Sequence, residues 1–534
     1  MAVRAHPISM LDDLRMFLRY IAGVRQYLEH PLSAEESRRL LEAQHRNRDQ
    51  SFLRLLQRSV FQKPRSPYLA LLRRAGAEYG DIARMVQSDG LESALERLYD
   101  SGVYVALDEF KGRKPVVRAG LELPVESHDF DNPFLRKHFE GSTGGTRGVP
   151  RRLIIDLDLL VYDAACQHLF HEAWGLGGRP MALWRPLPPY VSGIKKPLLH
   201  AKVGQPLGRW FTQDRLEYSP RRLKYAILTH ATVLAGRLSG VALPTPEHVP
   251  LTAALQIANW LARQRQCGTP AYLDTLVGCA VRICSAAKEG GLDISGSFFR
   301  LGSEPYTSAK ARMVRDSGVQ AGCFYAMAET GPVGVPCPDG EAVDDVHLLS
   351  GKIAVIERRT SVRPAGASVS GFHFTSVLAS SPKILINVET GDYGALVRRR
   401  CSCPFGALGF NDHLHSIRSY EKLTSEGVAF LGSDLFALVE EVLPRKFGGS
   451  PTDYQLVETE VDGLPSVEIV VSPRVHDVIE ASVQRTVLDY LGSRNDSSRT
   501  MARIWEEGQT LRVVRREPAA TPGGKILPLH LQKG

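Results

Sequence analysis

Apolar residues near the start of the chain recur at helical spacing. Leu11, Leu14, Phe17, Leu18 and Ile21 fall three and four apart, and Leu53, Leu55 and Leu56 resume the pattern after an arginine-rich stretch. Residues 8–62 are therefore expected as helices that lay one face on the body of the protein. Arg38, Arg39, Arg46, Arg48, Arg54 and Arg58 read as the solvated side of those helices, or as a surface for a partner such as a carrier protein. From about 121 to 410 short β-branched runs at 152–155, 353–356 and 384–387 alternate with helical stretches at 272–288 and 307–317. That alternation predicts a layered α/β body. Past Arg418 helices are expected at 433–443 and 474–491 and strands at 455–460 and 466–471, the pattern of a separate α+β unit. The expected organisation is a helical segment over 1–120 packed on the body, a large α/β domain over 121–417, and a small α+β lid over 418–534.

At 534 residues the chain exceeds what one hydrophobic core organises, in keeping with several domains. Its 43% hydrophobic and 23% charged residues are ordinary for a globular protein. A net charge of +8 suits an anionic small-molecule substrate and, with no accompanying nucleic-acid motif, does not call for DNA or RNA. Asp12, Asp13, Arg15 and Arg19 interrupt the N-terminal apolar pattern, and no run of about 18 apolar residues follows, so neither a secretion signal nor a membrane span is expected. A cytoplasmic protein is the expectation. Its eight cysteines then read as thiols or metal ligands rather than a disulfide framework.

The candidate chemistry begins at Gly141-Ser142-Thr143-Gly144-Gly145-Thr146-Arg147-Gly148-Val149-Pro150-Arg151. Glycines and hydroxyls in such a run can wrap N–H and O–H donors around phosphate oxygens; a plain surface loop is the alternative. The usual P-loop is excluded, because no Gly-Lys-Ser/Thr follows the glycines. The run resembles the Thr-Ser-Gly-Thr-Thr-Gly-x-Pro-Lys signature of acyl-adenylate-forming enzymes, the superfamily of acyl-CoA ligases, luciferases and peptide-synthetase adenylation domains. Further landmarks follow in that family's order. Thr269-Pro270-Ala271-Tyr272-Leu273 resembles its helix-opening Thr-Pro-Ser-Tyr-Leu, and Gly302-Ser303-Glu304-Pro305 its Gly-Gly-Glu-Pro adenine loop. Tyr325 to Pro332 resembles Tyr-Gly-x-Thr-Glu-x-Gly-Pro, and Thr390-Gly391-Asp392-Tyr393-Gly394 the Thr-Gly-Asp-x-Gly turn. Gly524-Lys525-Ile526 resembles the terminal element that carries the adenylation lysine. The resemblance spans roughly residues 65 to 530.

It implies a set of roles. Thr143, Gly145, Thr146 and Gly148 match the triphosphate grip, with Arg147 in place of a second hydroxyl and Arg151 in place of lysine. Glu329 falls on the glutamate that helps hold Mg²⁺, and Thr330 on the residue beside the α-phosphate. Tyr325 would lie against adenine, with Gly302, Ser303 and Glu304 along its edge. Asp392 would accept the ribose hydroxyls, its alternative being an ordinary turn aspartate. Arg418 matches the hinge arginine, although Tyr420 and Glu421 replace the two acids expected after it. Lys525 would bridge the substrate carboxylate and the α-phosphate.

Cys337, His347 and the Cys401-Ser402-Cys403 pair offer the donors of a closed tetrahedral zinc site, with His413 and His415 as alternative nitrogens and unligated thiols as the plain reading. Their order resembles that in the phenylacetate-CoA ligase branch, whose helical segment also precedes the phosphate loop. The resemblance thus implies activation of a small-molecule carboxylic acid with ATP, followed by acyl transfer to a thiol, coenzyme A being the expected one. A carrier protein or an amine as acceptor, and a non-catalytic protein of the same fold, remain alternatives. A second copy of the chain is a further candidate partner.

Overall fold

The computed structural model describes the chain except residues 1–9, 136–137, 144–150, 189, 220–221, 328, 363–366, 420–421, 426–427, 432–437, 450–452, 462–463, 494–495, 520–528 and 532–534. The N-terminal pattern folds as expected, into helices Met10–Glu29, Ala34–Arg46 and Arg48–Leu56. Ser33 caps the second of these, its hydroxyl accepting from the Glu36 N–H while Glu36 returns a bond to the Ser33 N–H. The helices lie on the body: the Tyr20 and Thr232 hydroxyls are 2.8 Å apart, and Gln44 donates to the Gly351 carbonyl at 2.8 Å. Arg48 departs from the expectation of a solvated face. It pairs with Glu92 at 3.0 Å and donates to the Ser350 carbonyl at 2.9 Å, tying this helix to the body. Arg38, Arg39 and Arg46 pair with Glu172, Glu35 and Glu42 at the surface.

Twelve strands make the main sheet. Its parallel half runs from Pro246–His248 through Arg209–Thr212, Met181–Trp184, Tyr272–Thr275 and Phe298–Gly302 to Gln320–Met327. Its antiparallel half continues through Gly331–Pro336, Val346–Leu348, Asp412–Ser419, Val388–Arg398 and Ala367–Ser376 to Ile353–Val362. Helices such as Leu157–Ala173 and Val277–Glu289 pack on the parallel half, whose central strands Met181–Trp184, Tyr272–Thr275 and Phe298–Gly302 are accordingly buried on both faces. A separate four-stranded sheet follows in the C-terminal part, in the order Leu511–Arg515, Leu464–Val471, Tyr454–Val461, Leu529–Leu531. Val467, Ile469 and Trp505 of that part share one apolar cluster with Cys279 and Ile283 of the Val277–Glu289 helix. The α/β class, with a large layered body and a smaller α+β C-terminal part, is as expected.

Several local expectations change. The stretch 272–288 is not one helix: Tyr272–Thr275 is a central strand, all four residues buried, and the helix starts at Val277. A short segment buried on both faces, here with Asp274 and Thr275 in it, has no alternation to tell strand from helix. Residues 384–387 are not a strand. Ile384 and Leu385 are buried, but their N–H groups go to the Phe130 carbonyl and the Ser376 hydroxyl, and Asn387 takes φ +49° before the strand opens at Val388. The expected helix 474–491 begins only at Glu480, since Asp477 at φ +55° stops a right-handed helix from reaching back to 474. Of 433–443, residues 438–442 form a π-turn that leads into the Leu443–Phe447 helix, and the earlier part lies outside the described residues. Among the described residues no helix is long and apolar enough to cross a membrane.

Candidate functional site

The Gln320–Met327 strand stands at the seam between the two halves of the sheet, parallel to one neighbour and antiparallel to the other. Its last residues therefore meet chain from both halves. On the parallel side Gly302 pairs with Phe324, at the end of the Phe298–Gly302 strand. Ser303, the next residue, is exposed and left-handed at φ +73°. It stands where the resembled motif has its second glycine, so a residue with a Cβ holds a conformation that costs about 1–2 kcal/mol. Glu304 turns away from this loop. It is buried, and accepts a hydrogen bond from the Gly278 N–H at 3.0 Å, at the start of the Val277–Glu289 helix.

On the antiparallel side Asp392 belongs to the Val388–Arg398 strand rather than to a turn. That strand is bulged between Tyr393 and Ala395, and Gly391 takes φ +80°. The irregularity re-aims side chains out of the pleat. The Tyr325 hydroxyl donates to Asp392 Oδ2 at 2.8 Å, and the Thr390 hydroxyl lies 3.5 Å from the same oxygen. Burial, then the Asp392 carboxylate, holds the Tyr325 phenol well above its ordinary pKa, so it stays a donor. Tyr325, Ser303 and Asp392, each predicted from a different motif, thus converge on the seam.

Glu329 and Thr330 lie at the tip of the hairpin joining Gln320–Met327 to Gly331–Pro336. Gly331 has φ +77°, and a Cβ there would sit 3.1 Å from Asp163 Oδ2 and 3.4 Å from Lys352 Nζ. Only glycine fits without strain above this buried ion pair, whose charged atoms are 2.6 Å apart. Thr330 is buried. The Glu329 carboxylate, 18% exposed, holds the Lys111 ammonium as an ion pair. The carboxylate is part-buried at the tip and keeps a partial opening to solvent. Lys111 was not among the residues expected, because 218 positions separate the partners and no local pattern connects them.

Arg418 lies opposite Tyr393 in the sheet, beside Asp392, and donates to Asp344 Oδ2 at 3.1 Å. Asp344 also accepts the Ser416 and Ile417 N–H groups, at 3.0 and 3.1 Å, fixing the backbone on which Arg418 stands. Thr143 ends the Phe139–Thr143 strand and pairs with Arg151 of the strand Arg151–Ile155, so the two strands that flank the glycine run are paired. Gly145, Thr146, Gly148 and Lys525 lie outside the described residues.

The four sulfur and nitrogen donors come together. Cys337 Sγ, His347, Cys401 Sγ and Cys403 Sγ offer ligand atoms within 4.8 Å of one another. His347 Nε2 is 3.0 Å from Cys403 Sγ and 3.5 Å from Cys401 Sγ. His347 Nδ1 donates to the Phe410 carbonyl at 2.7 Å, which leaves the Nε2 lone pair pointing at the sulfurs, the tautomer a metal requires. His413 is set outside the cluster: its ring lies tilted against that of His347, centroids 4.1 Å apart, and its Nδ1 meets Asp345 Oδ1 at 2.7 Å. Gly406 is needed here, since a Cβ would lie 2.4 Å from the Cys401 carbonyl oxygen. Three thiols and one oriented imidazole, mostly buried, fit a closed tetrahedral zinc site.

A second unforeseen group lies beneath Ser303. Asp274, fully buried, accepts from Arg185 Nε at 2.5 Å and Arg300 Nη1 at 3.0 Å, with Lys196 Nζ at 3.4 Å. Arg185 reaches on to the Ser303 hydroxyl at 3.4 Å, and the Arg300 guanidinium covers the Phe324 ring at 3.6 Å. This network joins the ends of three parallel strands under the loop.

No family model matches the chain, and no curated protein matches it in sequence. Solved structures do match. With 2-hydroxyisobutyryl-CoA ligase, in complex with 2-HIB-AMP and CoA in the thioesterification state, the TM-score is 0.50 at 15% identity, over 94% of this chain and 91% of that one. The chain has the fold of that ligase. Amide bond synthetase McbA from Marinactinospora thermotolerans gives 0.43 at 15% identity over 95% and 98% of the two chains. The o-succinylbenzoate CoA synthetase of Bacillus subtilis gives 0.39 at 15% over 81% and 79%. The CoA-ligase fold is the architecture that the ordered motifs implied, and it brings Tyr325 and Asp392, 67 positions apart, to one seam.

Proposed function

We propose that the protein is a carboxylate-activating ligase of the phenylacetate-CoA ligase type. It converts ATP and a carboxylic acid to an acyl-adenylate and pyrophosphate, then transfers the acyl group to a thiol, coenzyme A. The observation that carries this reading is the convergence of Tyr325, Asp392 and Ser303 at the seam beside Glu329, in a chain with a CoA-ligase fold.

In the first step an oxygen of the substrate carboxylate attacks the α-phosphorus, the bond to the bridging oxygen of the β-phosphate breaks, and pyrophosphate leaves. Asp392 accepts the ribose hydroxyls, and Tyr325, positioned by its bond to Asp392, flanks the base. The hairpin loop from Thr143, with Gly145, Thr146 and Gly148, grips the β- and γ-phosphates. Glu329 holds Mg²⁺, which when bound neutralises triphosphate charge, and Thr330 stands by the α-phosphate. Lys525 offsets the charge that develops between carboxylate and phosphorus. In the second step the thiol sulfur attacks the acyl carbon, the carbon–oxygen bond to AMP breaks, AMP leaves and the thiol proton passes to solvent. Residues 418–534 act as the mobile lid that exchanges the two steps about Arg418. The replacement of the hinge acids by Tyr420 and Glu421 favours a second reading, in which a carrier protein or an amine takes the acyl group.

The deciding experiment is acid-dependent exchange of labelled pyrophosphate into ATP across aryl, aliphatic and amino acids, which reports the first step whatever the acceptor. No exchange with any acid would end this proposal. Asp392→Ala is expected to weaken nucleotide binding about ten- to a hundredfold, the worth of hydrogen bonds to a charged group, with Tyr325→Phe intermediate. Titration calorimetry measures both, and an unchanged affinity in Asp392→Ala removes it from the ribose.

Zinc, held by Cys337, His347, Cys401 and Cys403, has a structural role in this reading, clamping the strand after Glu329 to the chain that follows Asp392. One zinc per chain is expected by elemental analysis. Cys401→Ser should lower the melting temperature more than it lowers the turnover of the folded fraction, because binding of a structural metal is coupled to folding. Protein purified without chelator that carries no stoichiometric metal would refute the site.

A further inference from the structure

Lys111 sits at the end of the short helix Leu107–Phe110, its N–H bonded to the Leu107 carbonyl at 3.0 Å. The next residue, Gly112, has φ +68°, and a Cβ there would meet Glu126 Cα at 2.9 Å, so the backbone that carries Lys111 is closely packed. The neighbouring cations are engaged elsewhere. Arg113 and Lys114 both pair with Asp108, at 3.1 and 2.6 Å. Of this basic run, Lys111 is the residue that crosses to the hairpin tip, where it and Glu329 are each 18% exposed.

We propose that the Lys111 ammonium is the resident counter-ion of Glu329, and that a divalent cation gains this carboxylate only by displacing it. The inference rests on the reading of Glu329 as the metal carboxylate. The pair keeps a partial opening to solvent through which a second cation can approach, yet a unit charge at contact distance opposes that cation at the same group. Lys111 thereby keeps Glu329 compensated when no metal is present, and sets how much the metal adds to nucleotide binding.

The test measures by calorimetry the affinity of the full-length protein for α,β-methylene-ATP, first in EDTA and then with Mn²⁺, and takes the ratio as the gain due to metal. In Lys111→Met this gain is expected to rise on the order of tenfold over the wild type, because the competing cation is gone. Lys111→Arg, which keeps the charge, should retain the wild-type gain. Glu329→Gln should abolish the gain whether or not Lys111 is present. A gain in Lys111→Met equal to or below that of the wild type, with the melting temperature showing the variant folded, overturns the inference and leaves the proposed function standing. If the wild type binds no nucleotide, the functional reading falls and the inference with it. If Glu329→Gln keeps the full gain, Glu329 is not the metal ligand and the inference falls, while nucleotide binding survives.

Discussion

Changing Lys525 to Ala is expected to slow acid-dependent exchange of pyrophosphate into ATP by roughly two orders of magnitude, about 3 kcal/mol of transition-state stabilisation. Attack of one anion on another builds negative charge on the oxygens around phosphorus, and a lysine on a flexible stem can bring a compact positive charge there at the moment it is needed. The Gly523-Gly524-Lys525-Ile526 segment that carries this residue leads into the Leu529–Leu531 strand, which pairs in parallel with Tyr454–Val461. The lysine is thus tethered to the C-terminal sheet, the part proposed to move between the two steps. Thiol transfer from preformed acyl-adenylate should therefore suffer much less than exchange in the same variant. Exchange at the wild-type rate in Lys525→Ala would show that the terminal motif has been misassigned.

Asp274→Asn is expected to cost about 3–5 kcal/mol of stability, seen as a lower denaturant midpoint at unchanged slope. Asparagine keeps the shape of the side chain and removes its charge, which leaves Arg185 and Arg300, both about 3% exposed, without a buried counter-ion. Burial alone would raise the Asp274 pKa, but Arg185, Arg300 and Lys196 together outweigh it and hold the carboxyl well below the usual carboxylate range. Because the folded value is depressed, this stabilisation is present at every pH above that of an unfolded aspartate, about 3.9, and fades only as the pH falls below it. The Asn variant should accordingly be weakest relative to wild type at neutral pH, and the two should converge in acid. A loss under about 1 kcal/mol at pH 7 would mean that the arginines find other partners. Since Arg185 reaches Ser303, nucleotide affinity should weaken as well, by less than in Asp392→Ala.

Much of this protein was legible in its order of motifs. The α/β class follows from short apolar runs alternating with helical stretches. Cys337, His347, Cys401 and Cys403 were singled out by their donor chemistry together with the resemblance, and the fold brings the four together. His347 rather than His413 could be told only in three dimensions, where the Phe410 carbonyl orients one ring and Asp345 engages the other. Other features were out of reach of any local pattern. The strand 272–275, with Asp274 and Thr275 in it, looks less strand-like than the Ile-Leu-Ile run at 384–386 that forms none, and the position of each in the fold, not its composition, decided its conformation. Asp392 has the residues of a turn, yet neighbouring strands on both sides pull it into a bulged ladder. Lys111 with Glu329, and Asp274 with Arg185 and Arg300, are charge pairings between segments far apart in the chain. Hydrophobic period and turn chemistry act over a few residues and are written locally, whereas a buried charge selects its partner only after folding has removed the water that would otherwise satisfy it.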